Sequence, residues 1–314
     1  MPEAEGSERT WLRPLGLLGL ALVLGVGQPL VLIGIPFALL AVLLPGRKFA
    51  GYLLAAVFVA LLFGGASGDG LWYVERGWAI VVAGAFVAAT AAWPRAGVLE
   101  KGLVSGAVAY GVSAGILVAG GGWNELERLV RARFEMGSAS SLEVLGALTA
   151  AGEEVDQGLA DVVARTVEVQ VVVFPALMGL ASLASLGVAW WLYVRVSEGP
   201  RDGLPPVGGF RFPDPLIWLL IGGVALLVLG DWSSGWGRVG TNLVVLMGGL
   251  YVLRGVGVLL HVAGRVTWPA ALLVGVTAVL ATPVVLAGAM AVGVTDSWFD
   301  LRSRADDVRR DGSG

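Results

Sequence analysis

Apolar stretches of roughly 15–25 residues, divided by short polar clusters, follow one another along nearly the whole chain, and a helix crossing a ~30 Å hydrocarbon core needs that length. The first uncharged run, 14–45, holds 32 residues. As one helix it would measure about 48 Å, too long for a single crossing. Gly25, Gly27, Gln28 and Pro29 interrupt it midway, where a proline removes a backbone hydrogen bond. The pattern therefore predicts two short helices packed as a hairpin, 14–27 and 29–44. Further spans follow at 49–64, 78–94, 102–120, 168–194, 215–230, 239–263 and 267–293. That makes nine spans, or eight if residues 14–44 cross once. The 12 tryptophans fall at or near the ends of these runs, where an amphipathic ring sits at headgroup level.

One long polar insertion between the fifth and sixth spans, 121–168, breaks the rhythm. Four arginines stand there against nine acids, a net charge of −5. Trp123, Leu126, Val130 and Phe134 recur at helical spacing, which predicts an amphipathic helix. Gly137 to Ser141 reads as a break. Ser140 and Glu143 have the spacing of a capping box for a second amphipathic helix carrying Leu145, Leu148, Val155, Leu159 and Val162. The organisation is then a tail 1–13, a first helix bundle 14–196 including the insertion, a Pro-rich loop 197–214, C-terminal spans 215–293 and a polar tail 294–314.

Composition agrees: hydrophobic residues make up 56% of the chain, charged residues 14%, and the mean hydropathy is +0.80. The fold class is all-α, a polytopic helical membrane protein. The runs do not alternate in polarity, which excludes a β-barrel pattern. The 48 glycines supply small faces where helices can approach closely. With no cysteine and a single histidine, disulfides, thiolate chemistry and a multi-histidine metal site are excluded. The net charge of −3 argues against a nucleic-acid partner. The acidic start and the long apolar stretch after it do not fit a cleaved signal peptide. Arg and Lys counts in the short loops favour an inside N-terminus, with Arg47, Lys48, Arg95, Lys101, Arg195, Arg201, Arg211 and Arg265 inside. The nine-span count then leaves the tail, with Arg302, Arg304, Arg309 and Arg310, outside as an exception.

Arg254 is the residue that stands out, a charge about midway along the run 239–263. Such a charge marks a functional site or an essential pairing, with Glu168, Asp231 and Asp296 as candidate partners. His261 shares its helix face, Tyr251 lies one turn before it, and Asn242 stands near the other end. Together they read as a polar seam able to receive an anionic solute, since a guanidinium fork suits a carboxylate or phosphate. The competing readings are an internal ion pair or a side chain reaching for an interface. No HExxH, GxSxG or P-loop motif occurs, so the chain reads as non-enzymatic and neither cofactor nor metal is expected.

The chain resembles the YybS-like family of bacterial membrane proteins of unknown function. Four features carry this in order: PLVLIGIPFALL at 29–40 with the acidic insertion after it, GFRFPDPLIWLL at 209–220, NLVVLMGGLYVLRGVGVLLHVAGR at 242–265 and GVTDSWFDLRSR at 293–304. The first part is in turn distantly similar to S components of energy-coupling-factor transporters. That resemblance implies a small-residue face on the first helix, here Ala21 and Gly25, docking a coupling subunit, and a small-molecule pocket beneath the insertion. The expectation is a multi-pass protein of a bacterial inner membrane, embedded in the lipid bilayer. It would bind a small solute or serve a transporter; the alternative is a scaffold docking partners of the cell envelope.

Overall fold

The computed structural model describes residues 29–41, 70–148, 157–197, 207–264 and 282–311. They are mostly helical, with no strand among the described residues. In chain order the helices are α1 (Pro29–Ala41), α2 (Gly70–Ala92), α3 (Val98–Gly120), α4 (Trp123–Leu148), α5 (Gln157–Ser197), α6 (Ile217–Leu229), α7 (Gly235–Ala263), α8 (Thr282–Phe299) and α9 (Leu301–Asp311). Four helical stretches are long and apolar enough to cross a membrane: α2, α3, Ala164–Arg195 within α5, and α7. The pair α8–α9, bent by 75°, adds a fifth if counted as one broken span. The described residues thus carry four or five candidate spans; the expected eight or nine were counted over the whole chain. The expected spans 14–27 and 49–64 lie outside the described residues, as do parts of 29–44 and 267–293. So do Ala21 and Gly25.

The helices fall into two compact units, one over residues 23–199 and one that takes in residues 200–314. In the first, α1, α2 and α5 meet around Leu32, Leu40, Leu71, Phe86, Val171 and Met178, with Val130 of α4 joining the same core. Between helices in a bilayer such packing holds by van der Waals contact rather than by transfer out of water. Polar side chains tie the apolar faces together. The Trp78 indole donates to Ser182 Oγ at 2.8 Å, and Ser182 donates to the Met178 carbonyl at 2.7 Å. The Tyr110 hydroxyl donates across the bundle to the carbonyl of Pro175. The span in α5 is the most enclosed and α3 the least, so α3 lies at the rim of this unit.

Two local expectations are corrected here. Helix α2 starts at Gly70 rather than near 78, so Arg76, which the expected span 78–94 leaves in the loop before it, stands inside a helix. It is covered because its guanidinium stacks 3.4 Å from the Trp72 ring centroid and donates to the Trp72 carbonyl at 3.3 Å. In the insertion, α4 runs without a break from Trp123 to Leu148, through Gly137 to Ser141. One glycine inside a helix costs about 1 kcal/mol, which is not enough to end it. Packing of Leu126, Leu129, Val130 and Phe134 against the core holds α4 in place, and Arg133 pairs with the buried Glu75 of α2. Leu159 and Val162 belong to α5, which begins at Gln157 and runs straight into its span.

In the second unit α7 is the central element. It is antiparallel to α6, as the pairings show: Gly223 lies against Gly240 and Gly230 against Gly237. A Cβ on Gly240 would fall 2.6 Å from the Gly223 carbonyl oxygen. The other flank of α7 carries α8 at similar range. A Cβ on Gly255 would lie 1.8 Å from the Ala289 oxygen, and one on Gly293 would lie 2.0 Å from the Tyr251 oxygen. Those two glycines are what permits the crossing, since any side chain would push the backbones apart.

Candidate functional site

At its C-terminal end α7 is wrapped by three pieces of chain: the segment 207–216, the end of α8, and α9. The segment 207–216 has no α-helix: short 3-10 turns at Val207–Gly209 and Asp214–Leu216 flank an extended stretch, with Pro213 and Pro215 setting its course. Its backbone presses on Gly257, where a Cβ would stand 2.6 Å from the Val207 oxygen. Phe212 is buried beside Tyr251, with ring centroids 5.0 Å apart and nearly perpendicular.

Arg254 sits in this wrap, 4% exposed. Its Nε donates to Asp296 Oδ2 at 2.9 Å, and that carboxylate is fully covered. Its Nη1 reaches Asp214 Oδ1 at 3.0 Å and the Phe212 carbonyl at 3.5 Å. The guanidinium also lies 5.3 Å from the Phe212 ring centroid. The second oxygen of Asp296 accepts the Leu301 backbone N–H at 3.1 Å, which fixes the corner between α8 and α9. Arg302 returns from that corner: its Nη2 donates to the Phe210 carbonyl at 2.9 Å and to the Arg254 carbonyl at 3.3 Å. Further out, Arg211 pairs with Asp300 at 2.7 Å, and His261 meets Asp306 at 3.0 Å. Charge-assisted bonds of this kind are about twice as strong as neutral ones.

The geometry changes the depth at which Arg254 is read. In sequence it lies midway along an apolar run. In the fold it is level with Asp214 at the start of α6 and with Asp296 near the end of α8, so it belongs to a polar layer at one end of the spans. Contacts with α7 also climb in one direction along α8 and α9. Met290 lies by Gly248, Gly293 by Tyr251 and Gly255, Asp296 by Arg254, Arg302 by Gly257, and Asp306 by His261. The final helix therefore lies at the same end as the C-terminus of α7. A single span over 267–293 would have carried the tail to the opposite side, so that expectation is corrected. The tail's arginines Arg302, Arg304 and Arg310 therefore lie at the end of this unit where α7 terminates.

Of the expected seam, Arg254 and Tyr251 come together, while Asn242 and His261 go elsewhere. Asn242 donates to the Arg238 carbonyl, one turn back on its own helix, at 2.9 Å. The Tyr251 hydroxyl is buried; Ser297 is its polar neighbour, without a hydrogen bond of ordinary geometry between them. Of the three acids named as partners, Asp296 takes the role. Glu168 is exposed on α5, and Asp231 accepts the hydroxyls of Ser233 and Ser234 at 2.8 and 3.1 Å. Those two bonds, Ser233 first, hold the Asp231 carboxyl below its usual range. Sequence reasoning missed Asp214 and Arg302. The only signal was their place in the two flanking motifs, GFRFPDPL and DSWFDLRSR.

Comparison with known families bears on the whole chain. A family model described as "Predicted membrane protein (DUF2232)" matches residues 17–297. The chain belongs to that family. Neither a curated protein nor a solved structure matches it. The family description agrees with the apolar helices in placing the chain in a lipid bilayer.

Proposed function

We propose that this chain is a non-enzymatic, multi-pass component of a bacterial cell membrane that docks other membrane proteins, and that Arg254 fastens the fold rather than receiving a solute. One observation carries the reading: Nε and Nη1 of Arg254 are engaged by Asp296, Asp214 and the Phe212 carbonyl. An arginine that receives an anionic solute has to keep its planar fork free for two parallel bonds. Here the chain's own carboxylates hold it. The same contacts gather the 207–216 segment, α8 and α9 around the end of α7, as suits a fixed docking surface at the headgroups.

A second reading keeps the resemblance to YybS-like proteins and to transporter S components. It is favoured by the compact unit over 23–199, which spans most of the bundle assigned to that likeness. It would place any solute in that bundle, away from Arg254. Native mass spectrometry of gently solubilised protein tests both. A companion membrane protein carried at fixed stoichiometry is the expected result. A small-molecule adduct lost in Arg254→Ala would overturn the docking reading and return the arginine to a binding site. An adduct that survives that substitution, with no companion protein, would favour the second reading.

A further inference from the structure

Among the described residues, Lys101 is a covered cation with no anion beside it. It lies in the first turn of α3, and its side chain is enclosed, with the residue 3% exposed. The covering layer is thin, because the turn 93–95 just before it is open to solvent. Its Nζ has one long hydrogen bond, to the Pro94 carbonyl at 3.4 Å, and stands 5.1 Å from the Trp190 ring centroid. Among the described residues no carboxylate pairs with it. The adjacent Glu100 is exposed and spends its carboxylate on the helix start, accepting the Gly97 N–H at 3.2 Å. Covered charges are normally paired, since an ion taken out of water without a partner costs several kcal/mol.

The surroundings add to the imbalance. The amino end of α3 carries partial positive charge of its own. Arg95 is exposed on the preceding turn, and Arg195 is exposed near the end of α5, one to two turns beyond Trp190. Glu100 is the one acid that the described residues place beside them. Trp93 is 55% exposed on the turn, and the Trp191 ring lies 5.3 Å from the Arg195 guanidinium. Exposed tryptophans at the end of apolar helices mark the headgroup level of a bilayer.

We propose that Lys101, supported by Arg95 and the amino end of α3, is a binding site for a phosphate group. An ammonium binds phosphate as a point charge, and its weak bond to the Pro94 carbonyl is easily exchanged for one to a phosphate oxygen. A phospholipid headgroup and free inorganic phosphate offer the same chemistry, and the test separates them.

The chain has two lysines, Lys48 and Lys101, so acylation by an uncharged amine-reactive reagent can be read at each by peptide mass. In neutral detergent without phosphate, Lys101 is expected to react. Adding phosphatidylglycerol to the micelles should slow its reaction about tenfold, the mark of a bound state favoured by about 1.4 kcal/mol, while Lys48 is unchanged. Protection by lipid alone assigns a headgroup site; protection by inorganic phosphate as well assigns a general phosphate site. No protection by either overturns the proposal and leaves Lys101 as a side chain reaching for the interface. In native mass spectra, Lys101→Gln should lose the retained lipid or phosphate and Lys101→Arg should keep it. Equal retention in both would also overturn the proposal. The labelling experiment uses the wild-type protein and does not depend on either variant folding.

Discussion

Replacing Arg254 by methionine removes the guanidinium while keeping most of the side-chain length, and the structure says which partner then matters. Asp296 is fully covered and would keep a single bond, from the Leu301 N–H. Asp214 is 66% exposed and would turn to water. Breaking a buried pair by removing one partner costs about 3–5 kcal/mol, because the other charge stays buried and uncompensated. An exposed carboxylate losing the same partner costs at most about 1 kcal/mol. Arg254→Met is therefore expected to lose about 3–5 kcal/mol, nearly all through Asp296. Asp214→Ala should lose about 1 kcal/mol or less. The double variant Arg254→Met with Asp296→Leu should recover at least about 2 kcal/mol relative to the sum of the single losses, since neither charge then remains. The assay is reversible unfolding in mixed micelles, followed by helical circular dichroism and by tryptophan fluorescence. Strict additivity in the double-mutant cycle, or a larger loss from Asp214→Ala than from Asp296→Leu, would refute the reasoning.

Three further outcomes are expected. Gly255→Ala should cost about 2–3 kcal/mol, because its Cβ would meet the Ala289 oxygen at 1.8 Å; Gly288→Ala, with nothing within 4 Å, should be close to neutral in the same unfolding assay. The chain is free of cysteine, so single cysteines at Gly264 and Arg310 can be labelled with a membrane-impermeant maleimide. Both should react from the same side of sealed vesicles, and labelling from opposite sides would contradict the packing of α9 on the end of α7. Asp231 is held ionised by Ser233 and Ser234, so its contribution to the α6–α7 turn is present at neutral pH. It should fade as pH falls below its ordinary value of about 4. Asp231→Asn should then flatten the acid limb of local protection in that turn, read by hydrogen exchange.

The helical, membrane-embedded class of this chain was legible at once, because the bilayer sets a length that apolar runs must match whatever packs beside them. The runs at 102–120 and 239–263 became α3 and α7 within a few residues for that reason. Trp123, Leu126, Val130 and Phe134 likewise announced an amphipathic helix, since their spacing is a property of that segment alone. What the sequence could not carry is any quantity set between segments. Arg254 read as mid-span because hydropathy counts residues along one helix, whereas its depth is fixed by where α6 begins and α8 ends beside it. Its partners, Asp214 and Asp296, lie 40 and 42 residues away, a distance over which periodicity is silent. The side on which the tail lies was decided in the same way. Gly255 and Gly293 allow α8 to cross α7 at backbone range, and Asp306 then meets His261 at the end of α7. Local pattern determines which segments are buried in lipid, and tertiary contact alone decides which charges meet and at what level.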